Sequence, residues 1–288
     1  MLSPSDTARR IAHLPGLHQL LTHPSVERLV AAALRAQLLD RGMRFFLREA
    51  LSRRVGATYG LREARSVRFA LRHGTPDVDA VDQMFAQRLL AAPQPVEDAL
   101  AALGRPPHVA DLGANIGLFG AFACLRWPGA GIVCVEADPV NLSVLRRTIE
   151  ANGGDWQLIP AFAATLDGRI PFVAGRFGLS RAVSNGELGS PAGVVEVEKI
   201  DVFPVLERAD LVKVDIEGSE WEILCDARLG EIPAVALALE YHPQGCPRPA
   251  DPRGLATDLL ENAGFSVQAG PDLTPAGHGS LWAWRSRS

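Results

Sequence analysis

The stretch Asp111-Leu112-Gly113-Ala114-Asn115-Ile116-Gly117 decides how this chain is read. It closes the short apolar run His108-Val109-Ala110-Asp111-Leu112 and leads into a helical segment that ends near Trp127. A strand, a glycine-bearing turn and a helix in that order open a βαβ unit, and open α/β sheets bind ligands at such turns. Glycine lets the backbone approach a ligand closely, and the helix N-terminus presents free N–H groups. The turn is not the dinucleotide fingerprint, because Ala114 and Asn115 do not supply the second glycine of G-x-G-x-x-G. Its acid, Asp111, would repel a pyrophosphate and suits a ligand that carries an ammonium and a sulfonium.

Working outward, Gly131 to Glu136 is a second strand, and Glu136 lies 19 residues after Gly117. A carboxylate at that place can accept both hydroxyls of an adenosine ribose. Turn and acid together point to a nucleoside-bearing cofactor. Pro139 opens a helix to about Asn152, and Trp156 to Ala161 reads as a third strand. Ile170–Val173 and Val194–Glu198 form an inserted strand pair. Leu211–Asp215 and Ala234–Tyr241 are further core strands, separated by a helix over Ser219–Ala227. A helix over about Asp251–Ala263 precedes the closing strands Phe265–Ala269 and Ser280–Arg285. Repeated βαβ units predict a mostly parallel sheet covered by helices on both faces.

Charge gathers at two of the predicted strand ends. Lys213-Val214-Asp215-Ile216-Glu217-Gly218-Ser219-Glu220 follows the fourth core strand, and alternation puts Lys213 and Asp215 on one side of it. So many charges at a buried strand end are costly unless they pair or bind something. They read either as an ion pair with helix-start acids or as a catalytic floor. At the next strand end stand Glu240-Tyr241-His242. Asp215, Glu217, Glu240 and His242 could form a general-base site or a hard divalent-cation site, with Asp215, Glu240 and His242 as ligands for an ion such as Mg.

Upstream, apolar positions recur at helical spacing from Leu29 to Leu51, and Gly56 to Gly60 breaks that region. Ser66–Leu71 is a strand candidate. Thr75, Pro76 and Asp77 start a helix toward Leu90, and Pro93-Gln94-Pro95 punctuates the approach to residue 106. The organisation predicted is an N-terminal helical extension and cap over 1–105 and a catalytic domain over 106–288. The 288 residues are 47% hydrophobic and 22% charged, which excludes disorder and fibrous architectures. No signal peptide is evident, no apolar run is long enough to span a bilayer, and the four cysteines form no CxxC pair. A reducing cytoplasm without membrane partners is the expectation. Net charge is +5 over 1–105 and -9 over 106–288, too weak a basic bias to predict nucleic-acid binding. Only two of the 29 basic residues are lysines, Lys199 and Lys213.

These motifs together resemble the FkbM family of S-adenosylmethionine-dependent methyltransferases, over roughly residues 65–285. Asp111 to Gly117 is similar to the family's cofactor loop. Val135-Glu136-Ala137-Asp138-Pro139 is similar to its ribose-binding turn, with Ala137 where the family often has proline. Val212 to Glu220 is similar to its most specific signature. Weaker matches are Leu71-Arg72-His73-Gly74-Thr75-Pro76-Asp77, Gln83-Met84-Phe85, Asp167-Gly168 and Leu239 to Pro243. The resemblance implies the class I, Rossmann-like methyltransferase fold of seven strands, one of them antiparallel near the end. It also implies O-methylation of a hydroxyl on a sugar, polyketide or other secondary metabolite.

On this reading S-adenosyl-L-methionine lies over Gly113, Ala114, Asn115 and Gly117, with Asp111 holding its amino-acid end. Glu136 and Ala137 hold the ribose, and the adenine sits near Asp138, Phe162 and Ala163. A hydroxyl acceptor must lose a proton. Asp215, Glu240 and His242 are the candidates, with His242 favoured as base for its near-neutral pKa and Lys213 beside Asp215. Ser180, Arg181 and Glu217 are the expected substrate contacts, and the N-terminal helices are a candidate homodimer surface. Three other readings stay open: an NAD-dependent oxidoreductase, a methyltransferase for nitrogen or nucleic acid, and a non-catalytic nucleoside-binding protein.

Overall fold

The computed structural model describes residues 24–51, 54–87, 90–175, 181–182, 193–273 and 277–286. The chain opens with helices α1 (Pro24–Leu38) and α2 (Gly42–Ala50), then a hairpin of β1 (Gly56–Gly60) and β2 (Arg68–Arg72). The predicted single helical stretch is thus two helices. Leu39 makes a β-bridge to Leu61 and turns the chain. Gly56 to Gly60 is a strand rather than a break, because Tyr59 buries its ring against Phe45 and Phe69 lies beside it in the same core. Helix α3 (Asp77–Val81) runs into one π-helical turn, Asp82–Ala86, and α4 (Gln94–Ala101) begins where Pro93-Gln94-Pro95 had suggested a loop. Pro95 sits in the first turn, where its missing N–H costs nothing.

The remaining elements are β3 (His108–Leu112), α5 (Leu118–Arg126), β4 (Gly131–Val135), α6 (Pro139–Ala151), β5 (Gln157–Ile159), β6 (Phe162–Ala164), β7 (Gly168–Val173), β8 (Arg181–Ala182), β9 (Val194–Asp201), α7 (Phe203–Leu206), β10 (Leu211–Val214), α8 (Glu220–Leu224), β11 (Ala236–Tyr241), α9 (Pro252–Asn262), β12 (Ser266–Asp272) and β13 (Gly279–Trp284). Seven strands form the central sheet in the order β5-β4-β3-β10-β11-β13-β12, and only β13 runs antiparallel to its neighbours. Numbered by their place in the chain, that order is 3-2-1-4-5-7-6, the class I methyltransferase arrangement. Strands β6, β9, β7 and β8 make a separate small sheet, the inserted pair enlarged by two short strands.

Alternation along the central strands divides the core. Val109 and Leu211 face the layer of α4, α5, α6 and the hairpin, which supplies Val96, Phe119, Leu145 and Phe69. Ala110 and Val212 face Phe203, Trp221 and Leu260 of α7, α8 and α9. The N-terminal hairpin is part of the first layer. The Ala70 N–H donates to Thr148 Oγ1 at 3.0 Å, and the Arg68 N–H donates to Asn152 Oδ1 at 3.0 Å, both on or just past α6. The wholly buried His73 lies between Glu49 and the Tyr59 hydroxyl, which ties α2 to the hairpin. Burial works to raise the Glu49 carboxyl, but His73, the Gly74 N–H and the Arg35 charge together outweigh this and hold it below the ordinary range.

Candidate active site

The parallel register sets Asp111 directly beside Lys213 at the carboxyl ends of β3 and β10. Past these strand ends opens a cleft with about 510 Å³ of space, open solvent included. One lip is backbone. Gly113 takes φ +75°, and a Cβ there would run into the Asp215 carbonyl oxygen. Asn115, at φ 51°, turns its N–H onto Glu136 Oε2 at 2.7 Å, while the Asp138 N–H donates to Glu136 Oε1 at 2.8 Å. Each carboxylate oxygen keeps a lone pair for a further donor. Burial pushes the Glu136 carboxyl up to about 7, against the two backbone hydrogen bonds that lower it. Ala137 and Asn141 continue this lip, and Phe162, Ala163 and Phe172 form an apolar wall.

The facing lip is built from charged side chains. Asp215, Ile216 and Glu217 line it. Lys213 is buried beneath, donating to the Gly113 carbonyl at 2.8 Å and lying 3.3 Å from Asp111 Oδ1 and 3.2 Å from Asp215 Oδ2. Burial would lower its pKa, but the charges of Asp215 and Asp111 overcome that and hold it as a cation. Glu217 has φ +53° and, with Asn115, is one of two non-glycine residues in the left-handed region among the described residues. Such conformations gather at functional sites. Burial first and then the nearby Asp215 push the Glu217 carboxyl up to about 8. Its Oε2 lies 3.4 Å from His242 Nε2, and His242 Nδ1 lies 3.3 Å from Glu220 Oε1. Behind His242, the His278 ring stacks with centroids 4.3 Å apart, and His278 Nε2 meets Glu240 Oε1 at 2.7 Å.

Several sequence expectations shift here. Of the predicted cofactor residues, Gly113, Asn115, Glu136, Ala137, Phe162 and Ala163 line the cleft, whereas Asp111, Ala114, Gly117 and Asp138 lie behind it. Asp111 is wholly buried as a counter-ion to Lys213, so it does not present its carboxylate to a ligand's amino-acid end. Asp138 accepts from the Val140 and Gly175 N–H groups, capping α6 and tying it to the chain just past β7. His242 is not poised near neutrality. Burial lowers it, but the Glu220 bond and the charges of Asp215, Glu220 and Glu217 carry it up to about 9. It is an imidazolium at neutral pH and cannot accept a proton there.

The predicted trio of Asp215, Glu240 and His242 divides in two. Asp215 groups with Glu217 and His242, and Glu240 groups with His242 and His278, the donor atoms of each group lying within 4.8 Å of one another. In the first group the imidazolium already offsets the acids. Ser180 and the side chain of Arg181 lie outside the described residues. Asn141, Phe172 and His278 escaped the sequence reading. Only Asn141 left a signal, as a polar residue on the buried side of an amphipathic helix start.

The cleft fits a cationic nucleoside. Glu136, Asp215 and Glu217 line it, and among the described residues no arginine or lysine does, so a pyrophosphate would meet three acids and no cation. Asn115 Oδ1 is a buried acceptor without a partner among the described residues, suited to an ammonium donor.

No family model matches the chain. Methyltransferase sdnD of Sordaria araneosa is 26% identical over 205 residues, 58% of this chain and 77% of that protein. Methyltransferase FkbM from Methylobacillus flagellatus KT is similar in structure at a TM-score of 0.44 and 14% identity, covering 92% of this chain; this chain spans 60% of that one. Aeropyrum pernix fibrillarin, solved with natively bound S-adenosyl-L-methionine, gives a TM-score of 0.38 and 13% identity over 62% of this chain and 66% of that one. Strand order, site and the sdnD relative define this chain as a methyltransferase with the class I fold. The motifs 111–117, 135–139 and 212–220 fall at the carboxyl ends of central strands around this cleft, whereas 71–77, 83–85 and 167–168 lie outside the central sheet. No helix among the described residues is long and apolar enough to cross a membrane.

Proposed function

We propose that the chain is an S-adenosylmethionine-dependent O-methyltransferase of the FkbM type, acting on a hydroxyl of a small molecule such as a sugar, polyketide or other secondary metabolite. The observation that carries this reading is the cleft itself: a glycine-turn lip with Glu136 opposite a lip of acids held by buried cations. The bound cofactor supplies an electrophilic methyl group on a sulfonium. Gly113, Asn115, Glu136 and Ala137 hold it, with the base against Phe162, Ala163 and Phe172. A hydroxyl must give up its proton as it is methylated, and a base with a pKa near the working pH does this best. Glu217, raised to about 8 and braced by the His242 imidazolium, meets that requirement, with Asp215 beside it. Lys213 holds the two lips in register, since one ammonium contacts both the Gly113 carbonyl and Asp215.

The working location proposed is the cytoplasm, consistent with free cysteines at Cys124, Cys134, Cys225 and Cys246. A homodimer through α1 and α2 is proposed on the exposed Met43 and Leu47; a monomer by light scattering would remove it. The function is tested with methyl-labelled S-adenosylmethionine and a panel of hydroxylated acceptors. Label in an O-methyl product is expected. Label only in N-methyl products or in RNA would overturn the proposal.

A further inference from the structure

The motif Leu71-Arg72-His73-Gly74-Thr75-Pro76-Asp77 lies outside the central sheet, yet one of its side chains, Arg72, bonds a residue that lines the cleft. Arg72 closes β2. Its Nε and Nη2 donate to the two oxygens of the buried Asp77 at 2.7 and 2.8 Å, and its backbone N–H donates to Asp77 Oδ2 at 2.9 Å. The Thr75 hydroxyl donates to the Arg72 carbonyl at 2.8 Å and closes the turn. A guanidinium gripped by both ends of a carboxylate has a fixed plane. From that plane Nη2 also donates to Asn141 Oδ1 at 2.8 Å. Asn141 is 2% exposed, sits in the first turn of α6 and lines the cleft on the same lip as Glu136 and Ala137.

The chemistry of the pair sets the orientation of the amide. A guanidinium only donates, so the oxygen of Asn141 must face Arg72, and the NH2 with its two protons takes the other side. The hairpin is braced to the glycine turn as well. Thr148 Oγ1 accepts from the Ala70 N–H and donates to the Ile116 carbonyl at 2.8 Å. Residues 66–77 are therefore joined to the cofactor side of the cleft at two points.

We infer that Asn141 donates to the nucleoside half of the cofactor, and that Arg72, clamped by Asp77, is the positioning residue that fixes the Asn141 amide for this contact. The inference rests on the S-adenosylmethionine reading of the cleft. It gives the N-terminal hairpin a part in cofactor recognition.

The test is calorimetric titration of the full chain with S-adenosylhomocysteine and with methylthioadenosine, which lacks the amino-acid end. The key variant is Asn141→Asp. It keeps an oxygen for Arg72, so folding is retained, but it removes the two donor protons. Asn141→Asp is expected to weaken both ligands by about tenfold or more, the worth of one buried hydrogen bond, with the melting temperature close to wild type. Arg72→Met is expected to weaken both ligands similarly, Arg72→Lys less, and the double variant Arg72→Met with Asn141→Ala no more than Asn141→Ala alone. Wild-type affinity for both ligands in Asn141→Asp would overturn the inference. So would a loss confined to S-adenosylhomocysteine, which would put the contact on the amino-acid half. A wild type that binds neither ligand would overturn the cofactor reading, and this inference with it.

Discussion

On the proposed function, the two lips of the cleft do neighbouring jobs with opposite materials. The cofactor lip is mostly backbone: Gly113, the Asn115 and Asp138 N–H groups on Glu136, and an apolar wall. The acceptor lip is mostly side-chain charge: Asp215 and Glu217 in front, Lys213 beneath, and His242 with Glu220, Glu240 and His278 behind. Each lip carries one non-glycine residue in the left-handed region, Asn115 and Glu217. A backbone lip recognises shape, and Glu136 is the acid it holds. A lip of coupled acids and imidazoles holds protons, and its state follows pH. The division matches a reaction in which one ligand is gripped and the other must be deprotonated.

The contrast can be broken most forcefully at Lys213, which contacts both lips. Lys213→Met leaves Asp111 buried without its counter-ion. Breaking a buried pair from one side costs about 3–5 kcal/mol, read as a lower denaturant midpoint. A loss under about 1 kcal/mol would show that the two lips stand independently. Next comes Glu217→Gln. On the acceptor lip it should lower kcat by about a hundredfold, the low end for loss of a general base, with S-adenosylmethionine affinity unchanged. An equal loss of affinity would erase the distinction between the lips. In the wild type, kcat should rise with pH as Glu217 ionises near 8.

Gly113→Ala tests the backbone lip. Its Cβ would strike the Asp215 carbonyl and sit at a positive φ, for a cost of about 1–3 kcal/mol. Cofactor affinity should suffer more than kcat at saturation, the reverse of Glu217→Gln. Stability against pH tests the acceptor lip in a further way. His242 rises from 6.5 to about 9 on folding, so its contribution is complete below about 6.5 and is lost as pH climbs through 9. Glu217 and Glu136, raised to about 8 and about 7, keep protons that the unfolded chain has released. All three make the native state the greater proton binder, so stability falls from pH 6.5 to 9. At about 2–4 °C per kcal/mol the melting temperature should drop by several degrees. A rise over that range would contradict the charge assignments of the acceptor lip.

The same contrast explains what was legible in the sequence. The cofactor lip is local: a strand, a glycine turn and an acid at the next strand end announce themselves within about thirty residues. The mostly parallel sheet followed from repeated βαβ units, whereas Lys213 beside Asp111 shows only once β3 and β10 pair in register. The acceptor lip depends on longer routes. His278 comes to Glu240 only because β13 runs antiparallel along β11, pairing Ser280 with Glu240, and nothing near His278 in sequence announces that register. The pKa of His242 was misjudged for a related reason. Glu217 and Glu220 face its two nitrogens from the turn after β10, and that enclosure exists only once the turn has folded. Asp111 shows the opposite error. Its place in the motif suggested a ligand contact, and its burial makes it the partner of Lys213. Gly56 to Gly60 was misread because glycines at both ends outweighed the buried Ala57 and Tyr59 between them.

The central claim is that an acid-lined cleft selects a cationic nucleoside cofactor. Its most direct test is calorimetric titration of the wild-type chain with S-adenosylmethionine and, separately, with NAD. The account predicts one S-adenosylmethionine per chain, weakened at least about tenfold in Glu136→Ala by loss of the ribose acceptor, and no NAD binding. Tight NAD binding with none for S-adenosylmethionine would contradict it.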